Sequence, residues 1–237
     1  MIRLLIISIF PLLLNAQNNE LINYPKDSNV NILFVGDYKV GELNTKILDR
    51  QWWGLYVKDN TSFIRKVSIK IDDILPDIQN DWQYRISVDD NKYCVVLFSG
   101  IEIFEKDITH YTNNDIVRNK DFTFEFGPYH TFLSSKLETS KLIGEVKLNN
   151  YSISLNYQTN NKLTKQELFL FPTYDTQLLL SLVWAGDLDN DGKTDFLIQL
   201  PTPPNNELGY SSGLYLSSIA NTDELVKLVA YFISRGC

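Results

Sequence analysis

The chain has 237 residues, of which 44% are hydrophobic and 22% charged, a balance that supports a packed core and argues against an intrinsically disordered chain. Its formal net charge is −7. No Lys/Arg block interrupts that acidic background, which argues against nucleic acid as a partner because phosphate backbones are repelled.

Met1-Ile2-Arg3 is a short basic start, and Leu4 to Leu14 is an apolar run broken only by Ser8 and Pro11. The run falls short of the roughly 20 apolar residues that span a bilayer and has the length of an export-signal core. Residues 1–16 are therefore expected to be a signal peptide cleaved near Ala16. Residues 17–237 would form a single β-rich domain delivered to the periplasm or the extracellular space. No cysteine follows the run, which argues against a lipid anchor, and no later segment is apolar enough to cross a membrane. Two cysteines remain, Cys94 and Cys237. In an oxidising compartment an even pair favours a disulfide over a buried thiol plus a frayed terminal one.

Gln17 to Asn29 is polar and reads as an arm. From Val30 the texture is β. Ile32 to Val35 is a short apolar run, and Trp52 to Val57 is another. Lys58-Asp59-Asn60 is a turn before Phe63 to Ile71, where Val67, Ile69 and Ile71 alternate with polar residues at the period of a half-buried strand. Ile71 to Trp82 is acidic, contains Pro76 and reads as a loop. Asp89-Asp90-Asn91 between Arg85 to Val88 and Lys92 to Phe98 predicts a hairpin. Ile101 to Asn119 allows a short helix. Phe122, Phe124 and Phe126 alternate again. Lys141 to Phe171 reads as a meander with turns at Asn149-Asn150 and at Thr159 to Lys162, because asparagine tolerates the left-handed backbone of tight hairpins. Leu178 to Ala185, Phe196 to Leu200 and Leu214 to Leu216 are strands. Asp223 to Arg235 fits either a helix or a strand, and its β-branched residues favour the strand. The predicted fold is mainly β, an antiparallel sandwich or barrel-like single domain with meander hairpins and one acidic loop.

That loop runs from Asp187 to Asp195 with the spacing Asp-x-Asp-x-Asp-Gly-x-x-Asp. Calcium takes six to eight oxygen ligands, and alternate acids in a tight loop can aim their carboxylates at one point. The expected ligands are Asp187, Asp189, Asp191 and Asp195, with the carbonyl of Lys193 turned inward after Gly192 and its side chain outward. Without a cation, four such carboxylates would repel one another. The twelfth position holds Ile198 instead of a glutamate, so the loop is not an EF-hand of the calmodulin kind.

The stretch Gly186-Asp187-Leu188-Asp189-Asn190-Asp191-Gly192-Lys193-Thr194-Asp195-Phe196-Leu197-Ile198 resembles the calcium hairpins of FG-GAP/VCBS-type repeats. Such repeats build β-propeller blades, but one copy here does not imply a propeller. A wider pattern resembles a family of uncharacterised exported bacterial proteins. It comprises Trp184 through Leu200, Leu214 to Ser218, Glu224-Leu225-Val226 and the terminal Gly236-Cys237, with a weaker echo at Trp53 to Tyr56. That resemblance carries over no activity.

Other chemistry is sparse. The two histidines, His110 and His130, have no second ligand at metal spacing. The serine pairs lie outside any Gly-x-Ser-x-Gly turn, and there is no phosphate-binding glycine loop. The sequence thus predicts a secreted calcium-binding β protein that acts as a binding or structural module, with glycan or another envelope protein as partner. Trp82 is the best exposed aromatic for stacking on sugar. An envelope-side, glycan-active hydrolase with structural calcium is the alternative.

Overall fold

The computed structural model describes residues 25, 28–39, 41–59, 61–74, 82–113, 121–126, 129–142, 145–159, 162–173, 181–200 and 210–234. The predicted signal segment and Cys237 lie outside these residues, so the expected cleavage and bridge do too. Among the described residues Cys94 has no disulfide partner.

The fold is mainly β and antiparallel, as expected, with four sheets and no closed barrel among the described residues. A first sheet orders Asn31–Leu33, Cys94–Ser99, Trp52–Lys58, Thr61–Val67 and Lys106–Ile108. A second, central sheet orders Lys227–Ile233, Ser211–Leu216, Asp195–Leu200, Leu182–Gly186 and Tyr111–Asn113. A third holds the long strands Asp121–Phe126, Tyr129–Leu142, Glu145–Thr159 and Lys162–Thr173. A small fourth sheet pairs Trp82–Ser87 with Gly36–Lys39 on one side and Lys70–Asp73 on the other.

The central sheet is buried on both faces. Successive side chains on a strand point to opposite faces. Leu197 packs into a core with Trp52, Leu55, Ile64 and Phe98 of the first sheet. Its neighbours Phe196 and Ile198 pack into a second core with Leu133, Ile153 and Leu155 of the third sheet. Tyr215 faces the second core while Leu214 and Leu216 face the first. This double coverage is why Phe196-Leu197-Ile198 reads as an unbroken apolar run instead of alternating: all three are fully buried. Trp184 fastens the layers, its indole N–H donating to the Ser62 hydroxyl at 3.2 Å, which in turn donates to the Ile108 carbonyl at 2.9 Å.

Four expectations are corrected. Within Ile101 to Asn119 the described part is extended, as Lys106–Ile108 and Tyr111–Asn113. Edge pairing to Ser62–Ile64 and to Leu182–Ala185 overrides a local sequence that also suits a helix. Asn149-Asn150 is not a turn. The strand Glu145–Thr159 runs through it, and the partner register steps from Leu137↔Tyr151 to Glu138↔Asn149, which makes Asn150 the extra residue of a bulge. The turn at Asp89-Asp90-Asn91 exists, with Asp90 at φ 60 and the Val88 N–H donating to Asn91 Oδ1 at 2.7 Å. Its flanking strands do not pair with each other, however: the turn hands the chain from the small fourth sheet to the first. Trp82 accordingly begins a strand and does not sit in a loop. The strands either side of the second expected meander turn pair as far as Thr159 opposite Lys162.

Candidate metal centre

The acidic loop joins two neighbouring strands of the central sheet, Leu182–Gly186 and Asp195–Leu200, which pair from Gly186↔Asp195 inward. Gly186 closes the first strand because a Cβ there would meet the Trp184 ring at 2.5 Å and the Thr109 carbonyl at 3.0 Å. Asn190 at φ 69 and Gly192 at φ 82 turn the chain back through the left-handed region. A Cβ on Gly192 would meet nothing within 4 Å, so the glycine serves backbone conformation and not space.

Each acid then has its own environment. The Asp187 carboxylate accepts from the backbone N–H groups of Asn190 (2.6 Å), Asp191 (3.1 Å) and Gly192 (3.0 Å), which fixes it as the inner strut of the loop. Asp195 is fully buried, with Oδ2 accepting from Leu188 N–H at 2.7 Å and Oδ1 from Ser217 N–H at 2.8 Å. Asp189 Oδ2 accepts from the Ser218 hydroxyl, while its Oδ1 is buried and has no hydrogen-bond partner among the described residues. Asp187, Asp189 and Asp195 each offer an oxygen, and these oxygens lie within 4.8 Å of one another.

Asp191 lies outside that group of three. Its Oδ1 accepts from Lys193 N–H at 2.8 Å, and both its oxygens lie 3.1 Å from the Ser217 hydroxyl. The same hydroxyl sits 2.9 Å from Asp195 Oδ1, so Ser217 links the two acids. Lys193 is exposed. Ser217, Ser218 and Lys106, whose ammonium donates to the Asp187 carbonyl at 2.9 Å, belong to the site without being predicted for it. The serine pair stands out in the sequence only as hydroxyls. Lys106 carries no signal, being 81 positions from Asp187.

The charges are poorly compensated by the protein alone. Burial holds the Asp195 carboxyl well above its ordinary value of 3.8, and the Asp189 carboxylate pushes it further; the Ser217 and Leu188 donors only partly offset this. Burial also raises Asp189, against the Ser218 hydroxyl. The Ser217 hydroxyl has one proton for the three carboxylate oxygens around it. The donor set is all hard oxygen. Two oxygens bound to one calcium at 2.3–2.6 Å stand at most about 5 Å apart, which the three carboxylates satisfy. The residues therefore fit a calcium ion, which Asp187, Asp189 and Asp195 would hold directly. Among the described residues no histidine belongs to the group of three carboxylates. They do not line the neighbouring cleft of about 300 Å³ formed in part by Tyr129, Tyr157, Lys193 and Glu224.

Comparison with protein-family models, with curated proteins and with solved structures finds no match to this chain. No helix among the described residues is long and apolar enough to cross a membrane.

Proposed function

We infer that the chain is an exported calcium-binding β protein, a binding or structural module in which the ion clamps the hairpin between Leu182–Gly186 and Asp195–Leu200. The carrying observation is the cluster of three carboxylate oxygens within 4.8 Å, one from fully buried Asp195, with the buried Asp189 Oδ1 left without a partner among the described residues. A buried anion without a counter-charge is costly, and a divalent cation removes that cost. The FG-GAP/VCBS-like spacing of the loop points the same way. In this reading calcium is structural: it acidifies bound water weakly, and no histidine among the described residues joins the three carboxylates.

Binding to the folded form alone stabilises it by RT ln(1 + [L]/Kd), about 2.7 kcal/mol at a hundredfold excess over Kd. Millimolar calcium should therefore raise the melting temperature and a chelator should reverse the rise. Asp189→Asn keeps the shape but removes one charge. It should melt at or above the wild-type temperature in chelator and show no calcium-dependent rise. A wild-type melt indifferent to both calcium and chelator would sink the reading.

A further inference from the structure

The cleft beside the loop has a chemistry that the cation does not use. Tyr129 and Tyr157 stack along it, with ring centroids 5.1 Å apart and an interplanar angle of 27°. Tyr157 is buried and its hydroxyl is engaged with the Thr194 carbonyl at 3.4 Å, which leaves half-buried Tyr129 as the ring offered to a ligand. Two lysines meet at the cleft from different elements, Lys162 at the start of the strand Lys162–Thr173 and Lys193 from the acidic loop. Both are exposed, and neither forms an ion pair among the described residues. Glu224 completes the rim. Its Oε2 accepts from the Asn221 backbone N–H at 3.0 Å and side-chain amide at 2.8 Å, leaving Oε1 for a hydroxyl. Thr164 adds a further hydroxyl.

Two ammonium groups with no ion-pair partner among the described residues line one cleft in a chain of formal charge −7. Ammonium groups on flexible stems take an anionic group without demanding its geometry. An aromatic face takes the C–H face of a sugar ring, and a carboxylate with a threonine hydroxyl takes sugar hydroxyls. A bare anion would leave the ring and the glutamate idle, and Glu224 would repel it. A volume of about 300 Å³, at the low end for small-molecule sites, suits a single ring and not a larger ligand. We propose that this cleft binds an acidic saccharide unit, a pyranose carrying one carboxylate or phosphate, with Lys162 and Lys193 on the anion and Tyr129 under the ring. The proposal does not depend on the cation reading, because the three clustered carboxylates are not among the lining residues.

The test is isothermal titration of the full chain, at one fixed calcium concentration, with glucuronate, glucose 6-phosphate, glucose, inorganic phosphate and adenosine monophosphate. Glucuronate and glucose 6-phosphate separate the carboxylate from the phosphate source, and binding of either supports the cleft. Glucose and inorganic phosphate should each bind at least about tenfold more weakly than the better acidic sugar, the scale of one charge-assisted contact. Lys162→Ala and Lys193→Ala should each weaken that sugar about tenfold, and Lys162→Arg should retain most of it. A melting temperature for Lys162→Ala equal to that of the wild type under the same conditions would show that the weakening is local. The proposal is overturned if no acidic sugar gives heat, if glucose or phosphate alone binds equally well, if the nucleotide is preferred, or if both alanine variants bind as wild type does.

Discussion

Asp195 is the residue on which pH and the proposed cation would act together. Its folded-state carboxyl titrates above the ordinary value of 3.8, so between 3.8 and the raised value the folded chain holds a proton that the unfolded chain has lost. Its contribution to stability is then fully present below 3.8 and is lost as pH rises through the folded value. In chelator, the wild-type melting temperature should accordingly fall relative to Asp195→Asn as pH is raised across that window. Under the proposed function calcium would replace the proton as the partner of the carboxylate, so with calcium present the fall should vanish and the calcium-induced shift should grow with pH. Asp37 does not confuse the result. Its hydrogen bond to Arg85 lowers its carboxyl, so its contribution is present above 3.8 and is lost only at more acid pH. A chelated wild type whose melting runs parallel to Asp195→Asn at every pH would contradict this account.

At the scale of elements, the legible features are those whose chemistry is local. The acids and the glycine of the loop sit within nine consecutive residues, and their geometry follows from their spacing. Asp191 departs from it because Ser217, 26 positions later and on a different strand exit, takes up its carboxylate. No spacing rule reports on such a partner. The same limit explains the turns. Asn149-Asn150 and Asp89-Asp90-Asn91 both carry the residues of a tight turn, yet one became a bulge and the other a crossing between sheets, because long-range pairing decides what a permissive backbone does. Gln166 is a further case. From the third sheet its amide donates to the Val226 carbonyl at 2.8 Å, while its Oε1 accepts from the N–H groups of Leu225 (2.6 Å) and Val226 (2.9 Å). Gln166→Ala would orphan all three backbone groups, at a cost of about 2 kcal/mol. Denaturant unfolding should show this as a lower midpoint at unchanged slope.

At the scale of the molecule, the β texture was readable from alternation, but the three-layer stacking was not. An apolar run such as Phe196-Leu197-Ile198 reports burial on two faces without saying which sheets supply the cover. Because one sheet closes both cores, they should unfold together. Calorimetric and van't Hoff enthalpies should agree, and calcium should move a single transition; two separable transitions, only one of them calcium-sensitive, would contradict this. The shared sheet also imposes an order of events on a chain that emerges N-terminus first. The first sheet is complete by Ile108 and the third by Thr173, whereas four of the five central strands begin at Leu182 or later. Until that last stretch arrives, both outer layers must wait with an apolar face uncovered, as vulnerable to a wrong neighbour as to water. The acidic loop lies near the start of the closing segment, so under the proposed function the ion would be met at the step that ends this wait and would mark the point at which the protein becomes safe from aggregation.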